Sequence, residues 1–349
     1  EALQARYGDR VRYVWQENQG ESVARNRATE MAHGEIIAFL DSDDLWMPEK
    51  LQQQVAYLEM WRDAGMVFGQ AWLIDEHGKR YGDQPVGAAQ PTPAVLTPES
   101  LLLRNTVTGP STVLLRRGIW QMTGGFDPQI RYGEDWDLWL QVAQVKPIHA
   151  MSTPLAYIRR HRGTQCYYPE SSEKVARVLR DHLRLLEKAF GSLPTSSAPP
   201  LRSQAIANQY LEAFVPECHV GAAEVARNYL LAAHGHAPEL LADSDWFGKL
   251  ILNQVVQIIE TEPSPDFVSG TQYVDKVLAH LEDIDAYNRS FAKRITAEAN
   301  AVIGLWINQR WGRQKARPYL LNAVRQDIRW LGNTGLILTV AKSFIPGSN

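Results

Sequence analysis

The sequence predicts an α/β layer fold over residues 1–170 and an all-α domain over residues 171–349. Up to residue 170, short apolar runs alternate with helix-like stretches, the pattern of strands and helices in layers. Beyond it the text turns helical: Ser172 to Phe190 places Val175, Val178, Leu179, Leu183, Leu185 and Leu186 near the helical period. A dense acidic run, Asp41-Ser42-Asp43-Asp44, follows the apolar Ile36 to Leu40 directly, at the strand end where open α/β sheets put their ligands.

In chain order, the first strand-like run is Val11 to Trp15. Asn18-Gln19-Gly20 then leads through a glycine loop into a helix carrying Ser22, Arg25 and Asn26, closed by His33-Gly34. A helix start offers free N–H groups and a small positive end that suit a phosphate, which makes Asn18, Gly20 and Asn26 phosphate-binding candidates. Glu35 to Leu40 reads as a buried strand. The carboxylates after it have three open readings: ligands for a hard divalent cation, a solvated acidic loop, or a helix cap at Asp44, since Pro48 suits a first helical turn. Met66 to Gly69 and Thr112 to Leu115 are further strands, and Gln84 to Thr108, with its Pro and Gly content, reads as a loop. Gly124-Gly125-Phe126-Asp127-Pro128 precedes Glu134-Asp135-Trp136-Asp137, three carboxylates at the start of an amphipathic helix. Such residues can serve only the helix dipole, as expected for Asp137, but one of them in a cleft makes a competent general base. Trp139 is expected in the core.

In the second half, Gly191 to Pro200 reads as a linker, with the boundary loop set near 191–202. Helical segments are expected at 201–214, 222–233, 246–261, 272–281, 290–311 and 317–331. Ala226-Arg227-x-Tyr229-Leu230-Leu231-x-Ala233 and Ala316-Arg317-x-Tyr319-Leu320-Leu321-x-Ala323 share one pattern, consistent with stacked helical hairpins. A second Asp-Ser-Asp, at residues 243–245, reads as a helix cap. Gly335 to Pro346 is too short to span a bilayer and is expected to pack within the helical domain, with a membrane surface as the alternative.

Composition sets outer bounds. The chain has 349 residues, 45% of them hydrophobic and 21% charged, with a net charge of −3. It carries no long basic run of the kind that binds nucleic acid, although Arg159-Arg160-His161-Arg162 forms a local basic patch. Its two cysteines, Cys166 and Cys218, stand far apart without metal-ligand spacing, which fits a reducing compartment better than a disulfide framework.

Taken in order, Q-N-x-G-x-S-x-A-R-N, G-E-I-I-A-F-L-D-S-D-D-L-W-x-P-x-K-L, G-G-F-D, G-E-D-W-D-L-W-L and R-x-H resemble the family 2 inverting glycosyltransferases of the GT-A fold. The resemblance covers roughly the first half of the chain. It implies a GT-A nucleotide-diphospho-sugar transferase fold and a set of roles. Asp41 and Asp43 match a D-x-D motif: Asp43 would bind the metal, Mn²⁺ or Mg²⁺, that bridges the donor's phosphates, while Asp41 would reach the ribose or a metal-bound water. Asp135 would be the catalytic base, with Glu134 and Trp136 on the acceptor side. His161 would help hold the metal or diphosphate, and Arg159 and Arg162 would favour the same charge. The implied partners are a nucleotide-sugar donor and a glycan or lipid-linked acceptor. The implied setting is cell-envelope polysaccharide synthesis in the bacterial cytoplasm, at the inner face of the membrane.

Two family motifs are missing: a first strand ending in P-x-Y-N and a second ending in D-D-G-S. Residues 1–7 then resemble the tail of the helix after that second strand, and Arg10 to Trp15 the third strand. The GT-A domain is accordingly expected to be incomplete at its N-terminus, with an apolar sheet edge and weak donor binding. Isothermal titration with nucleoside diphosphates plus Mn²⁺ would overturn that expectation if binding were submicromolar. The alternative function is a catalytically impaired binding or assembly protein whose helical half engages a partner.

Overall fold

A computed structural model describes residues 2–87, 94–160, 171–192, 199–220, 222–242, 245–261, 268–283, 289–333, 336–337 and 339–340. It divides into two compact units, Glu1–Tyr167 and Tyr168–Asn349.

The first unit is a mixed sheet with helices. Its elements are α1 (Ala2–Tyr7), α2 (Glu21–Met31), β1 (Ile36–Ala38), β2 (Leu45–Trp46), α3 (Lys50–Met60), β3 (Met66–Ile74), β4 (Arg80–Val86), β5 (Ala94–Leu96), α4 (Pro98–Leu103), β6 (Leu114–Arg116), α5 (Arg117–Thr123), α6 (Glu134–Val145) and β7 (Ile148–Arg159). The sheet order is β1-β6-β3-β7-β2, with β4 beside β3 and β5 beside β7. Among the described strands, only β3 and β7 pair in parallel. Both are long, and the run Met66 to Ala71 is buried throughout, as suits a strand covered on both faces. Gly69 lets these two strands approach closely: a Cβ there would lie 2.4 Å from Leu155 and 2.7 Å from the Thr153 carbonyl.

Several expectations change here. Residues 11–15 form no strand. Val11 has extended dihedrals, but an extended run becomes a strand only with a ladder partner, and no described strand pairs with this one. Tyr13, Val14 and Trp15 stay 50%, 38% and 70% exposed. The segment 84–108 is not a plain loop, because it contains the end of β4 together with β5 and α4. Asp44 does not cap a helix. The next helix, α3, starts six residues later at Lys50, and its capping position, Glu49, makes no side-chain cap hydrogen bond.

The second unit is helical throughout its described residues: α7 (Ser172–Ser192), α8 (Pro199–Val220), α9 (Ala223–His236), α10 (Glu239–Ala242), α11 (Asp245–Thr261), α12 (Val268–Asp283), α13 (Arg289–Trp311) and α14 (Arg313–Gln326), with a 3₁₀ turn at Ile328–Gly332. The two copies of the repeated pattern fall on α9 and α14. Ala226, Leu230 and Ala233 are buried in one copy, and Ala316, Leu320 and Ala323 in the other, the i, i+4, i+7 stripe of a helix facing a core. Helix α9 packs chiefly on α8 and α14 chiefly on α13, so the pattern marks two helical hairpins. Gly304 on α13 brings the second pair close, since a Cβ there would sit 2.5 Å from Leu320. Among the described residues, no helix is long and apolar enough to cross a membrane. Cys166, Ser244 and most of the 335–346 stretch lie outside the described residues.

Candidate functional site

The acidic run emerges from β1 as a tight turn, with the Asp44 N–H donating to the Asp41 carbonyl at 3.1 Å. Two neighbours fix it. Ser111, buried in the 3₁₀ turn Pro110–Thr112, accepts the Asp41 backbone N–H at 3.1 Å and hydrogen-bonds the Asp44 carboxyl. Arg159, the last residue of β7, donates its backbone N–H to Asp44 at 2.9 Å and its Nε–H to the Asp43 carbonyl at 2.9 Å. Its guanidinium also reaches the Asp75 carbonyl at 2.6 Å. Asp44 is therefore a structural anchor. Burial raises its pKa, and the bonds from Ser111 and Arg159 partly oppose that. Arg159 was expected to lend its charge to phosphate, but its donors hold the loop carbonyls instead.

Trp46 and Lys50 complete the support beneath the turn. Trp46 donates its indole N–H to the Ser111 carbonyl at 3.0 Å. The Lys50 ammonium is 1% exposed, bonds the Val113 carbonyl at 3.2 Å and lies 4.7 Å from the Trp46 ring centre. Burial pushes its pKa down to about 7.

The second acidic segment opens α6. Gly133 precedes it in the left-handed region, at φ 81°, which a glycine adopts without strain. Glu134 is buried and Asp135 half-buried, and Asp135 accepts the Trp136 N–H at 2.6 Å. Burial raises the pKa of both, with the Asp135 charge adding to the effect on Glu134, while Arg25 works in the opposite direction on each. Trp136 does not line an acceptor surface. It is 2% exposed and its indole N–H donates to the Leu101 carbonyl at 2.8 Å, which makes it a core residue like Trp139, at 0%. Asp137 is also buried and accepts from Gln141 at 2.7 Å, so it does more than face a helix dipole.

Arg25 joins the two segments. From the second turn of α2 its Nη2 reaches Asp41 Oδ1 at 2.8 Å and its Nη1 reaches Glu134 Oε1 at 2.8 Å, with Glu21 at 3.6 Å. Burial opposes its charge, but the two carboxylates outweigh burial and push its pKa above the ordinary value. Four acids (Glu21, Asp41, Glu134 and Asp135) thus share one guanidinium. The Glu21 pKa is raised as well, first by burial and then by Glu134.

The structure brings Asp41, Glu134 and Asp135 together around Arg25 and puts Asp43 in the same turn as Asp41. Asn18 and Gly20 flank the start of α2, where Asn18 accepts the Gly20 N–H at 3.1 Å and Gly20 is exposed at φ 89°. Asn26 departs from its expected role as a donor ligand. Its amide N–H₂ donates to the Phe126 carbonyl at 2.7 Å and its oxygen accepts the Phe126 N–H at 2.9 Å, so it ties α2 to the G-G-F-D loop. Gly125 makes room for that tie: its φ is +84°, and a Cβ there would lie 2.7 Å from the Asn26 oxygen. His161 and Arg162 lie outside the described residues. Sequence reasoning assigned no role to Arg25, Ser111 or Lys50. Arg25 carried a signal in the motif itself, a lone cation one turn after Glu21, whereas Ser111 gave none.

Residues 1–119 match the family described as Glycosyl transferase family 2. That match lies within the N-terminal unit. The match stops short of Glu134 and Asp135, whose place beside Asp41 rests on geometry. Among curated relatives, the chain is 35% identical over 136 residues to the putative teichuronic acid biosynthesis glycosyltransferase TuaG of Bacillus subtilis, covering 38% of this chain and 50% of that one. It is 30% identical over 156 residues to an uncharacterized glycosyltransferase of Rickettsia conorii, covering 44% and 26%. An uncharacterized glycosyltransferase of Haemophilus influenzae is 26% identical over 179 residues, covering 49% and 59%. The chain therefore spans half the length of the Bacillus relative and about a quarter of the Rickettsia one. Two solved structures align at lower identity. One is Staphylococcus aureus TarS 1–349, at TM-score 0.42 and 14% identity over 72% of this chain and 74% of that one. The other is the mannosyltransferase PcManGT of Pyrobaculum calidifontis with GDP-Man and Mn²⁺, at TM-score 0.36 and 15% identity over 76% and 68%.

Proposed function

We propose that the chain is a metal-dependent, inverting glycosyltransferase that moves a sugar from a nucleotide-sugar donor to a glycan or lipid-linked acceptor in cell-envelope polysaccharide synthesis. The observation that carries this is Arg25, bonded at 2.8 Å to both Asp41 and Glu134, which draws the acidic turn after β1 and the acidic start of α6 into one site. The relative named for teichuronic acid biosynthesis supports the cell-envelope setting.

The acidic turn suits a hard divalent cation. Asp41 and Asp43 are half-buried oxygen donors in one turn, and no group of three or more candidate ligands occurs among the described residues. Mg²⁺ and Mn²⁺ sites of this kind take one or two carboxylates and complete the shell with water and substrate phosphates. Asp43 would hold the cation directly, Asp41 through water, and His161 would assist. The cation would supply positive charge where the departing diphosphate gains negative charge.

The residues then divide the work. The start of α2, with Asn18 and Gly20, presents backbone N–H groups to the donor's anionic part. Asp135 accepts the proton of the acceptor hydroxyl as that oxygen attacks the anomeric carbon and the nucleoside diphosphate leaves from the opposite side. A single in-line displacement of this kind inverts the anomeric centre. Burial suits Asp135 to the task, because a base with a raised pKa holds the proton better near neutral pH. Glu134, clamped by Arg25, borders the acceptor side.

Donor turnover with and without Mn²⁺, for the native chain and Asp43→Asn, tests the proposal. The expected result is metal-dependent turnover that the substitution abolishes, with an inverted product anomer by NMR. Metal-independent or substitution-insensitive turnover would remove the mechanism.

A further inference from the structure

The charge of the chain is unevenly distributed. Residues 299–349 contain seven Lys or Arg (310, 313, 315, 317, 325, 329 and 342) and a single acid, Asp327, while the whole chain carries −3. The last 51 residues are thus +6 and the preceding 298 are −9. Charge separated to this degree points to a polyanionic partner for the basic end.

The structure shows how that charge is displayed. Helix α14 has no acidic residue, and its exposed Lys315, Pro318, Arg325 and Gln326 recur at the spacing of one helix face, opposite the buried Ala316, Leu320 and Ala323. The 3₁₀ turn that follows is capped by Asp327, whose carboxylate accepts the Arg329 N–H and is paired with the Arg329 guanidinium, so the one acid of this stretch is neutralised locally, and Glu298 of α13 also lies near Arg329. Trp330 packs against the helical core and pins the turn. Its neighbours are left outside: Ile328 is 72% exposed and Leu331 52% exposed. Two large aliphatic side chains thus stand largely in solvent beside a basic helix face.

We propose that this end of the helical unit, the exposed face of α14 and the turn 328–332, docks on an anionic lipid surface. Basic residues provide the long-range attraction to anionic headgroups, and Ile328 and Leu331 enter the boundary between headgroups and acyl chains. The exposed aliphatics favour a bilayer over a soluble polyanion, which would need only the charge. The inference stands apart from the glycosyl-transfer reading, because none of these residues belongs to the site at Arg25.

Co-sedimentation of the full chain with vesicles tests it, using phosphatidylcholine alone and phosphatidylcholine with about one-third phosphatidylglycerol. The native chain is expected to pellet with the anionic vesicles only, and less so at high salt. Lys315→Gln/Arg325→Gln should weaken partitioning by about 25-fold, roughly fivefold for each basic residue at the surface. Lys315→Arg/Arg325→Lys should restore it. Ile328→Ser/Leu331→Ser should also weaken it, with unchanged thermal melting to show that these exposed changes leave the fold intact. The proposal is overturned if the native chain stays in the supernatant, or if it binds uncharged vesicles equally. It is also overturned if the double serine variant binds as the native chain does, which would make the surface a reader of soluble polyanions.

Discussion

The acidic turn after β1 and the acidic start of α6 both crowd carboxylates at the end of an element, yet they are secured differently. In Asp41–Asp44 the backbone does most of the holding: Ser111 and Arg159 grip main-chain groups and Asp44, while the Asp41 side chain, paired with Arg25, and that of Asp43 remain half exposed. In Glu134–Asp137 burial does it: the carboxylates are drawn into the fold and the pKa values of Glu134 and Asp135 rise, with Arg25 as the counter-charge. The difference suits the two tasks proposed above for these segments. A cation ligand must stay ionised and accessible, whereas a proton acceptor benefits from being poised closer to neutral pH.

The strongest test of this contrast is Asp135→Asn, which keeps the shape and removes the base. Turnover should fall by about 10³-fold with little change in donor affinity by titration. An equal loss of affinity would place Asp135 on the donor side instead. Next is Arg25→Met, which separates the two segments. It should lower kcat/KM by about 10²-fold, with Arg25→Lys recovering part, because the site would lose its geometry. Arg25→Met combined with Asp41→Asn should be clearly non-additive if the bridge is what matters.

The pH dependence follows from the directions of the shifts. Asp135 and Glu134 titrate above the ordinary carboxylate range in the folded chain, so kcat/KM should fall as pH drops through that raised value. Stability moves the other way. A carboxyl whose folded pKa is raised binds more protons folded than unfolded, so its contribution is fully present below the ordinary carboxylate value and is lost as pH rises through the folded one. Thermal melting and rate measured across the same pH series should therefore diverge. Ser111→Ala is a smaller probe of the backbone-held segment. It removes partners from the Asp41 N–H and the Asp44 carboxyl and should cost about 1–3 kcal/mol of stability by denaturant titration.

A further probe of the same support is Lys50, beneath the turn. A lysine with a folded pKa of about 7 releases its proton in the folded chain while the unfolded chain still holds one. Stability should then rise with pH between about 7 and the model-peptide value near 10.4, and Lys50→Met should flatten that rise.

Much of this was legible in the sequence because it depends on local periodicity and contiguous motifs. Apolar runs gave β1, β3 and the helical second unit, and the repeated A-R-x-Y-L-L-x-A pattern gave two equivalent helices. The motifs pointed to Asp41, Asp43 and Asp135, and the structure puts Asp41 and Asp135 near one guanidinium, with Asp43 in the same turn as Asp41. What failed depended on neighbours. Residues 11–15 look like a strand, but a strand exists only with a partner. Trp136 and Asn26 carry the side chains of ligand-binding residues, and which side of a helix faces a cleft is not written in spacing alone. Ser111 and Arg159 lie 70 and 116 residues from the backbone groups they hold.

The sequence by itself determined the two-part division, the family resemblance of the first part and the acidic residues available for chemistry, because composition, period and motif are properties of adjacent positions. Only the tertiary structure decided which carboxylates meet at Arg25, which remain half exposed and which are buried. Those outcomes depend on distance and desolvation between residues that the chain order keeps 16 to 109 positions apart.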